Sequence, residues 1–342
     1  MDTLNIAIVG MGLMGKHYAR ILKQTPGTAV AAVCDLEAEP LVRFAAEAGI
    51  SPGIFAGGDV AGMLRAHPEV DAVFVCTPEA AHADPARLAA AAGKHLFIEK
   101  PLATTMEDGR AIAAAVNRAG VKCMVGFSLR FDPRYAAARD AVARGDIGQV
   151  VHMYARRNSP LVILKRIGGR EGGTHWVGGH DLDLMLWIKG CGVTSVFSRH
   201  AGPGSAAFPV EQAITSSLRF EDGSIAVLEN VWGTVGYPGR HDRIEFQANG
   251  TLGSVEVHPV ETGLGIFREG TAAYPDTVYM PVVQGRITGV YRDEVDYFID
   301  LVRGLRGPFC TVEDGLRALA VADAIERSRR GEGDVRLDPS GS

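Results

Sequence analysis

At 342 residues, with 46% hydrophobic and 22% charged residues, the chain has enough apolar material for two ordinary domain cores and too much to be disordered. A net charge of -5 supplies no basic field for a phosphate backbone or an anionic surface, so neither nucleic acid nor membrane is an expected partner. The start of the chain carries no basic leader and no later run reaches membrane length, which points to a cytoplasmic protein; the five cysteines are scattered, odd in number and without a CxxC pair, so no disulfide frame or zinc knuckle is expected.

The first third alternates strand and helix. Asn5 to Val9 is a short continuous apolar run of the kind a strand buried on both faces requires, and similar runs recur at Ala29 to Cys34, Ala72 to Cys76, Leu96 to Ile98 and Lys122 to Val125. Helical stretches lie between them at His17 to Lys23, Leu41 to Ala48, His82 to Ala92 and Thr105 to Ala119. The alternation predicts a doubly wound parallel sheet, a Rossmann domain over residues 1–125. From 126 to 342 the pattern changes. A helix at Pro133 to Arg144 precedes strands at Val150 to Arg156, Ala213 to Phe220, Ser224 to Asn230, Arg243 to Ala248 and Gly253 to His258, which predict a second α/β domain with an open, mostly antiparallel sheet. Two helices follow, Arg292 to Leu305 and Val312 to Arg330, expected to pack on the first domain or on one face of that sheet, and Asp334 to Ser342 reads as a polar tail with little to hold it.

The chemistry begins at Gly10-Met11-Gly12-Leu13-Met14-Gly15, which follows a buried strand and opens a helix. In such a loop the first glycine permits the tight turn, the second lets backbone approach a pyrophosphate, and the third allows close helix–strand packing. Asp35 stands at the end of the next strand, twenty residues past Gly15, where a carboxylate accepts the adenosine ribose hydroxyls and repels a 2′-phosphate. With Leu36 and Glu37 following, NAD is expected ahead of NADP. A second feature is Glu99-Lys100-Pro101 at the carboxyl end of a strand, the edge where doubly wound folds bind ligands. Lys100 there can serve as acid/base for a hydroxyl proton, although as a bare tripeptide it reads rather as a solvated surface lysine.

A third feature is the glycine-rich stretch ending in His180-Asp181-Leu182-Asp183. His180 and Asp183, three apart, can converge from one side of a helix start on a small ligand; Asp181 can cap that helix, and a metal reading of His175, His180, Asp181 and Asp183 lacks a third separated cluster. Arg156, Arg157 and Asn158 at a strand end are candidates for substrate hydroxyls or for plain solvation. Trp232 and Tyr237 read as a carbohydrate wall or as core aromatics.

Together with Thr77-Pro78, His82, Ala91-Ala92-Gly93-Lys94-His95 and Val125-Gly126-Phe127-Ser128-Leu129-Arg130-Phe131, these motifs resemble the Gfo/Idh/MocA family, which includes glucose–fructose oxidoreductase and inositol dehydrogenase. The resemblance covers nearly the whole chain and is most specific in the first 160 residues. It implies a dehydrogenase moving hydride between a nicotinamide and a secondary alcohol of a sugar, cyclitol or glycoside, with Lys100 as catalytic acid/base and Thr77, Pro78, His82 and Glu99 lining the nicotinamide end. It also implies His180 as an orienting or relaying group, Asp183 holding a hydroxyl, and a homodimer or homotetramer. The family's dehydrogenases carry an aspartate four residues before the histidine matching His180; here Trp176 stands there, offering an aromatic face for a sugar ring but no proton. That departure keeps open an NAD-dependent glycosidase or elimination enzyme using transient oxidation, a non-catalytic sugar or dinucleotide sensor, and a reductase of a non-sugar substrate.

Overall fold

A computed structural model of the chain describes residues 3–160, 174, 178–202, 211–234, 243–259, 264–269 and 271–338. The chain divides into two compact units, Met1–Ser128 with Met280–Leu316, and Leu129–Tyr279 with Arg317–Ser342.

The first unit is built on six parallel strands, β1 (Leu4–Val9), β2 (Thr28–Cys34), β3 (Gly53–Phe55), β4 (Ala72–Val75), β5 (His95–Glu99) and β6 (Cys123–Gly126), in the order β3-β2-β1-β4-β5-β6. Ile6 to Val9 and all of β4 are buried, as strands covered on both faces must be. Helices α1 (Leu13–Lys23), α2 (Ala38–Ala48), α3 (Val60–Ala66), α4 (Ala83–Ala91) and α5 (Met106–Ala119) connect them. Sequence periodicity finds the long elements and misses β3 and α3. The first is three residues long and only half-buried, and the second is seven residues with Gly62 inside, started by Asp59, whose Oδ1 accepts the Gly62 N–H at 2.7 Å. Chain order reverses between β1 and β4, and the carboxyl ends of these neighbours open the crevice that such sheets use for ligands.

In the second unit Asp132 caps α6 (Pro133–Arg144), with Pro133 in its first turn and Gly145 at φ 80° ending it. Then come β7 (Val150–Pro160), α7 (Gly179–Lys189), β8 (Val193–Ala201), β9 (Ala213–Phe220), β10 (Ile225–Thr234), β11 (Arg243–Gly250) and β12 (Ser254–Val257). All pairings in this sheet are antiparallel except β7 with β10, so it is mixed and mostly antiparallel. Met153 and Ala155 of β7, Leu218 of β9 and Leu228 of β10 share one core with Leu182, Leu184, Met185 and Ile188 of α7. Strand β8, which sequence reading misses, is rich in Ser and Thr and buries few apolar residues, Val193 and Val196 among them.

A ribbon of β13 (Ile266–Arg268) and β14 (Thr271–Ala273) ends this stretch, and a second ribbon, β15 (Val282–Val283) with β16 (Arg286–Ile287), turns through Gln284 and Gly285, both at positive φ. Helices α8 (Val290–Val302) and α9 (Val312–Arg327) follow. Residues Met280–Leu316, though they follow the second sheet in the chain, group with the first unit, as a closing helix packed on the first domain would: Phe298 of α8 packs edge-on against Phe74 of β4 and Phe97 of β5 at 5.2 and 5.6 Å. One expectation needs correction: the start of the tail is anchored, because Asp334–Arg336 forms β17, paired to β8 with Val335 buried. The five cysteines are free thiols. Among the described residues no helix is long and apolar enough to cross a membrane.

Candidate active site

The three glycines after β1 are required for different reasons. Gly10 sits at φ 90°, and a Cβ there would lie 2.4 Å from the Thr77 nitrogen and 2.5 Å from the Cys76 carbonyl, so β1 and β4 approach too closely for any side chain. A Cβ on Gly15 would lie 2.0 Å from the Gly10 carbonyl oxygen. Gly12 differs: a Cβ there meets no atom within 4 Å, and its φ of -69° needs no glycine. Among the described residues the space beside Gly12 is open. Helix α1 starts at that residue with no side-chain cap and no acid in its first turn, so its amide N–H groups and positive dipole end face outward. Leu13 is exposed and Met14 half-buried.

Asp35 follows β2 at the same edge. Its Oδ2 accepts the Met11 N–H at 2.6 Å and its Oδ1 the Leu36 N–H at 2.7 Å, which orients the carboxylate over the glycine loop. The open cradle at Gly12, the uncapped helix start and this carboxylate fit a dinucleotide, with loop amides on the pyrophosphate and Asp35 on the adenosine ribose.

Thr77 and Pro78 follow β4, and Glu99, Lys100 and Pro101 follow β5, so the expected nicotinamide-end residues gather at the same sheet edge. His82 is buried. Its Nδ1 lies 2.9 Å from the Pro101 carbonyl and its Nε2 3.0 Å from the Thr77 carbonyl, so the ring brackets the two loops and spends its nitrogens on the chain. Burial lowers its pKa against the pull of those carbonyls, which keeps the ring neutral, and a neutral ring donates to one carbonyl at a time. Lys100 is half-buried and its peptide bond to Pro101 is cis.

Glu99 is buried and faces inward. Its Oε2 accepts the Lys100 backbone N–H at 3.0 Å, and its Oε1 accepts the Tyr18 hydroxyl at 2.6 Å. Burial raises its pKa, opposed by the Tyr18 hydroxyl and the Lys100 charge. On the far side of Tyr18 lies Glu294 of α8, fully buried, with Oε2 at 3.1 Å from the same hydroxyl. Sequence reasoning missed Tyr18 and Glu294. The available signal was a carboxylate on the buried face of α8, among Val290, Val295 and Phe298.

In the second unit the candidates are engaged in ion pairs and hydrogen bonds. Arg157 makes a two-pronged contact with Asp181, Nε to Oδ2 at 2.8 Å and Nη2 to Oδ1 at 2.9 Å, joining β7 to the first turn of α7. Burial alone would lower the Arg157 pKa, and the Asp181 carboxylate outweighs it to give a net rise. Asp181 is therefore a buried partner of Arg157 and does not cap the helix, as it could have done; α7 starts at Gly178 with no side-chain cap. Asp183 is likewise held by Arg130, Nε to Oδ2 at 2.9 Å and Nη2 to Oδ1 at 2.6 Å, both side chains buried. The side-chain amide of Asn158 donates to Glu229 at 2.7 Å and its oxygen accepts the Val231 N–H at 2.9 Å, so it ties β7 to β10. Arg156 pairs with Glu245. His180 lies half-buried in the first turn of α7, and Trp232 is buried on the core-facing side of β10 with Ala226 and Leu228. His175, Trp176 and Tyr237 lie outside the described residues.

Comparison with known proteins follows the same division. The family model described as "Oxidoreductase family, NAD-binding Rossmann fold" matches residues 4–127, and the GFO/IDH/MocA C-terminal domain matches residues 135–256. The chain is 31% identical to an inositol 2-dehydrogenase of Rhizobium meliloti, over 95% of this chain and 97% of that protein. It is 29% identical to a scyllo-inositol 2-dehydrogenase (NAD(+)) of Bacillus subtilis, over 97% and 96% of the two chains. A crystal structure of scyllo-inositol dehydrogenase from Lactobacillus casei, with NAD(H) and scyllo-inositol bound, has a TM-score of 0.81 over 98% of this chain and 99% of that one; at 22% identity this is a likeness of fold. With family matches on both units and a relative at 31% identity over nearly its whole length, the chain belongs to the Gfo/Idh/MocA family of oxidoreductases and carries that family's NAD-binding Rossmann domain.

Proposed function

We propose that the chain is an NAD-dependent dehydrogenase of a secondary alcohol in a cyclitol or related polyhydroxylated ring, with Lys100 as the acid/base. The observation that carries this reading is the convergence, at one sheet edge, of the open Gly12 cradle, Asp35 and the Glu99-Lys100-Pro101 turn. The inositol dehydrogenases among its relatives support the substrate class.

The loop amides from Gly10 to Gly15 would hold the pyrophosphate, Asp35 the adenosine ribose, and Thr77 and Pro78 the nicotinamide end. When bound, the nicotinamide takes up or returns a hydride. Lys100 Nζ takes the hydroxyl proton of the substrate as the carbon–oxygen bond becomes a carbonyl, and returns it in the reverse direction. Glu99 holds the backbone N–H of Lys100, and His82 fixes the turn through the Pro101 carbonyl, so the lysine starts from a constrained backbone. His180 orients or relays. Asp183, whose oxygens already serve Arg130, holds a substrate hydroxyl only through its remaining lone pairs. Asp35, followed by Leu36 and Glu37 rather than an arginine, favours NAD over NADP.

The test is a panel of cyclitols, aldoses and glycosides assayed for NADH absorbance. NADH accumulating with a cyclitol or sugar is the expected result. Product formed from a glycoside without NADH would replace this reading with transient oxidation and elimination, and NAD binding without turnover of any panel member would favour a sensor. The assembly proposed is a homodimer or homotetramer, and a monomer by light scattering at micromolar concentration would contradict it.

A further inference from the structure

Two carboxylates and one hydroxyl share a buried site behind Lys100, and their geometry determines where the protons lie. Tyr18 Oη has one proton and stands 2.6 Å from Glu99 Oε1 and 3.1 Å from Glu294 Oε2. The shorter separation is that of a hydroxyl donating to an ionised carboxylate; the longer is that of a weaker, neutral contact. Glu99 accepts a second bond from the Lys100 N–H, so its negative charge is doubly held. Among the described residues Glu294 has no second bond: its Oε1 is buried and makes no hydrogen bond. The surroundings are apolar, with the Tyr18 ring edge-on to Phe97 at 5.0 Å and tilted against Phe74 at 5.4 Å, and Phe298 edge-on to both phenylalanines. An ionised Glu294 would place a second negative charge in this shell with its one contact already spending its proton on Glu99.

We propose that Glu294 stands in the folded protein as a neutral carboxylic acid that donates its proton to Tyr18 Oη, which commits the Tyr18 hydroxyl to the Glu99 carboxylate and makes Glu294 a positioning residue for the Lys100 turn. The chain of donors then runs one way, from Glu294 through Tyr18 to Glu99, with Glu99 also holding the Lys100 N–H. Every polar proton in it has an acceptor. The other titratable groups facing the site are consistent with this order. Cys76, after β4, has its thiol pushed well up by burial and by the two carboxylates, so it stays neutral. Lys100 and Glu79 act on Glu99 with opposite sign, and Glu294 has its carboxyl pushed well up by burial and by Glu99. The inference about position rests on the reading that Lys100 works at the reacting centre; the inference about the proton does not.

The test has two arms. Infrared difference spectra of wild type against Glu294→Gln, recorded on the free protein at neutral pH, should show the carbonyl band of a protonated carboxyl group that shifts in D2O and is missing from the variant. In the second arm, with NAD and scyllo-inositol as probes, Glu294→Gln should retain wild-type kcat and pH profile, because its amide donates to Tyr18 as the acid does. Glu294→Leu and Tyr18→Phe should lower kcat by about ten- to a hundredfold at unchanged KM for NAD, the scale of a misplaced reacting group. No band in the difference spectrum would overturn the proton assignment. Glu294→Gln falling as far as Glu294→Leu would overturn it too, since the charge would then be what matters. Should wild type turn over neither scyllo-inositol nor any other member of the cyclitol, aldose and glycoside panel, the functional reading fails in this arm, and the infrared arm still decides the proton.

Discussion

Asp35 Oδ2 accepts the backbone N–H of Met11 at 2.6 Å, so the acid at the end of β2 is oriented by the glycine loop after β1. A carboxylate held this way keeps lone pairs for ribose hydroxyls and presents its charge against a 2′-phosphate. Asp35→Ser combined with Leu36→Arg should therefore weaken NAD and relieve the exclusion of NADP, shifting the preference by about 1–3 kcal/mol, the scale of a charged hydrogen bond. Titration of both cofactors checks this. An unchanged ratio would mean that the carboxylate serves the loop alone.

Two glycines three residues apart, Gly12 and Gly15, should respond in opposite ways. Gly12→Ala meets no protein atom and sits at an ordinary φ, so stability should stay within about 0.5 kcal/mol of wild type while NAD affinity drops at least tenfold. Gly15→Ala drives a Cβ to 2.0 Å from the Gly10 carbonyl and should lower the melting temperature before any ligand is added. Thermal unfolding of the free proteins and NAD titration separate the two. A destabilised Gly12→Ala with intact NAD binding would show that its open space is not the cofactor's.

Lys100→Met keeps the apolar stem and removes the ammonium. NAD should still bind, and turnover should fall by about 10²–10⁴, the contribution of a positioned acid/base. Loss of NAD affinity with turnover preserved at saturating cofactor would make Lys100 a binding residue. Loss of neither would mean that Lys100 does not face the crevice, and His180 would become the first candidate for the proton carrier.

The parts of this molecule that were legible in the sequence are those where one residue's requirement is local. Ile6 to Val9 must be a buried strand, Gly10 must turn, and Pro133 after Asp132 must start a helix, whatever lies elsewhere. The illegible parts depend on partners distant in the chain. Asp181 reads as a helix cap until Arg157 from β7 is seen holding both its oxygens, and nothing in the spacing of Asp183 shows that Arg130 holds both of its own. Glu294 lies 276 positions from the tyrosine it meets, and no spacing rule connects them. Short β3 and polar β8 fall below what periodicity can detect, because the neighbouring strands supply most of what holds them.

The Arg157–Asp181 pair yields a stability prediction that distinguishes a structural arginine from a substrate-reading one. Asp181 is fully buried, so Arg157→Met leaves an uncompensated charge and should cost about 3–5 kcal/mol. Adding Asp181→Leu removes that charge and should recover most of the loss, since an apolar pair of similar volume is often neutral. Denaturant midpoints for the single and double variants check this. A single-variant loss below about 1 kcal/mol would mean that the pair contributes little to stability and that Arg157 is available for the substrate.

The buried acid on α8 has a signature in stability as a function of pH. Its folded pKa lies above the ordinary carboxylate value of 4.5, with burial the largest cause and Glu99 the second. Below that value the group is protonated in both folded and unfolded chains, and its contribution is fully present. As pH rises above 4.5 the unfolded chain releases the proton while the folded one keeps it, so the contribution declines until the folded pKa is passed. Glu294→Gln cannot titrate and escapes this decline. Measured by denaturant unfolding between about pH 5 and 8, the variant should gain on wild type with each step upward in pH, by at most about 1.4 kcal/mol per unit for a single proton. Glu99 is raised in the same direction and is present in both proteins, so it largely cancels in the difference. Parallel stability curves would mean that Glu294 releases its proton in the folded chain as readily as in the unfolded one, and the donor order through Tyr18 to Glu99 would then be wrong.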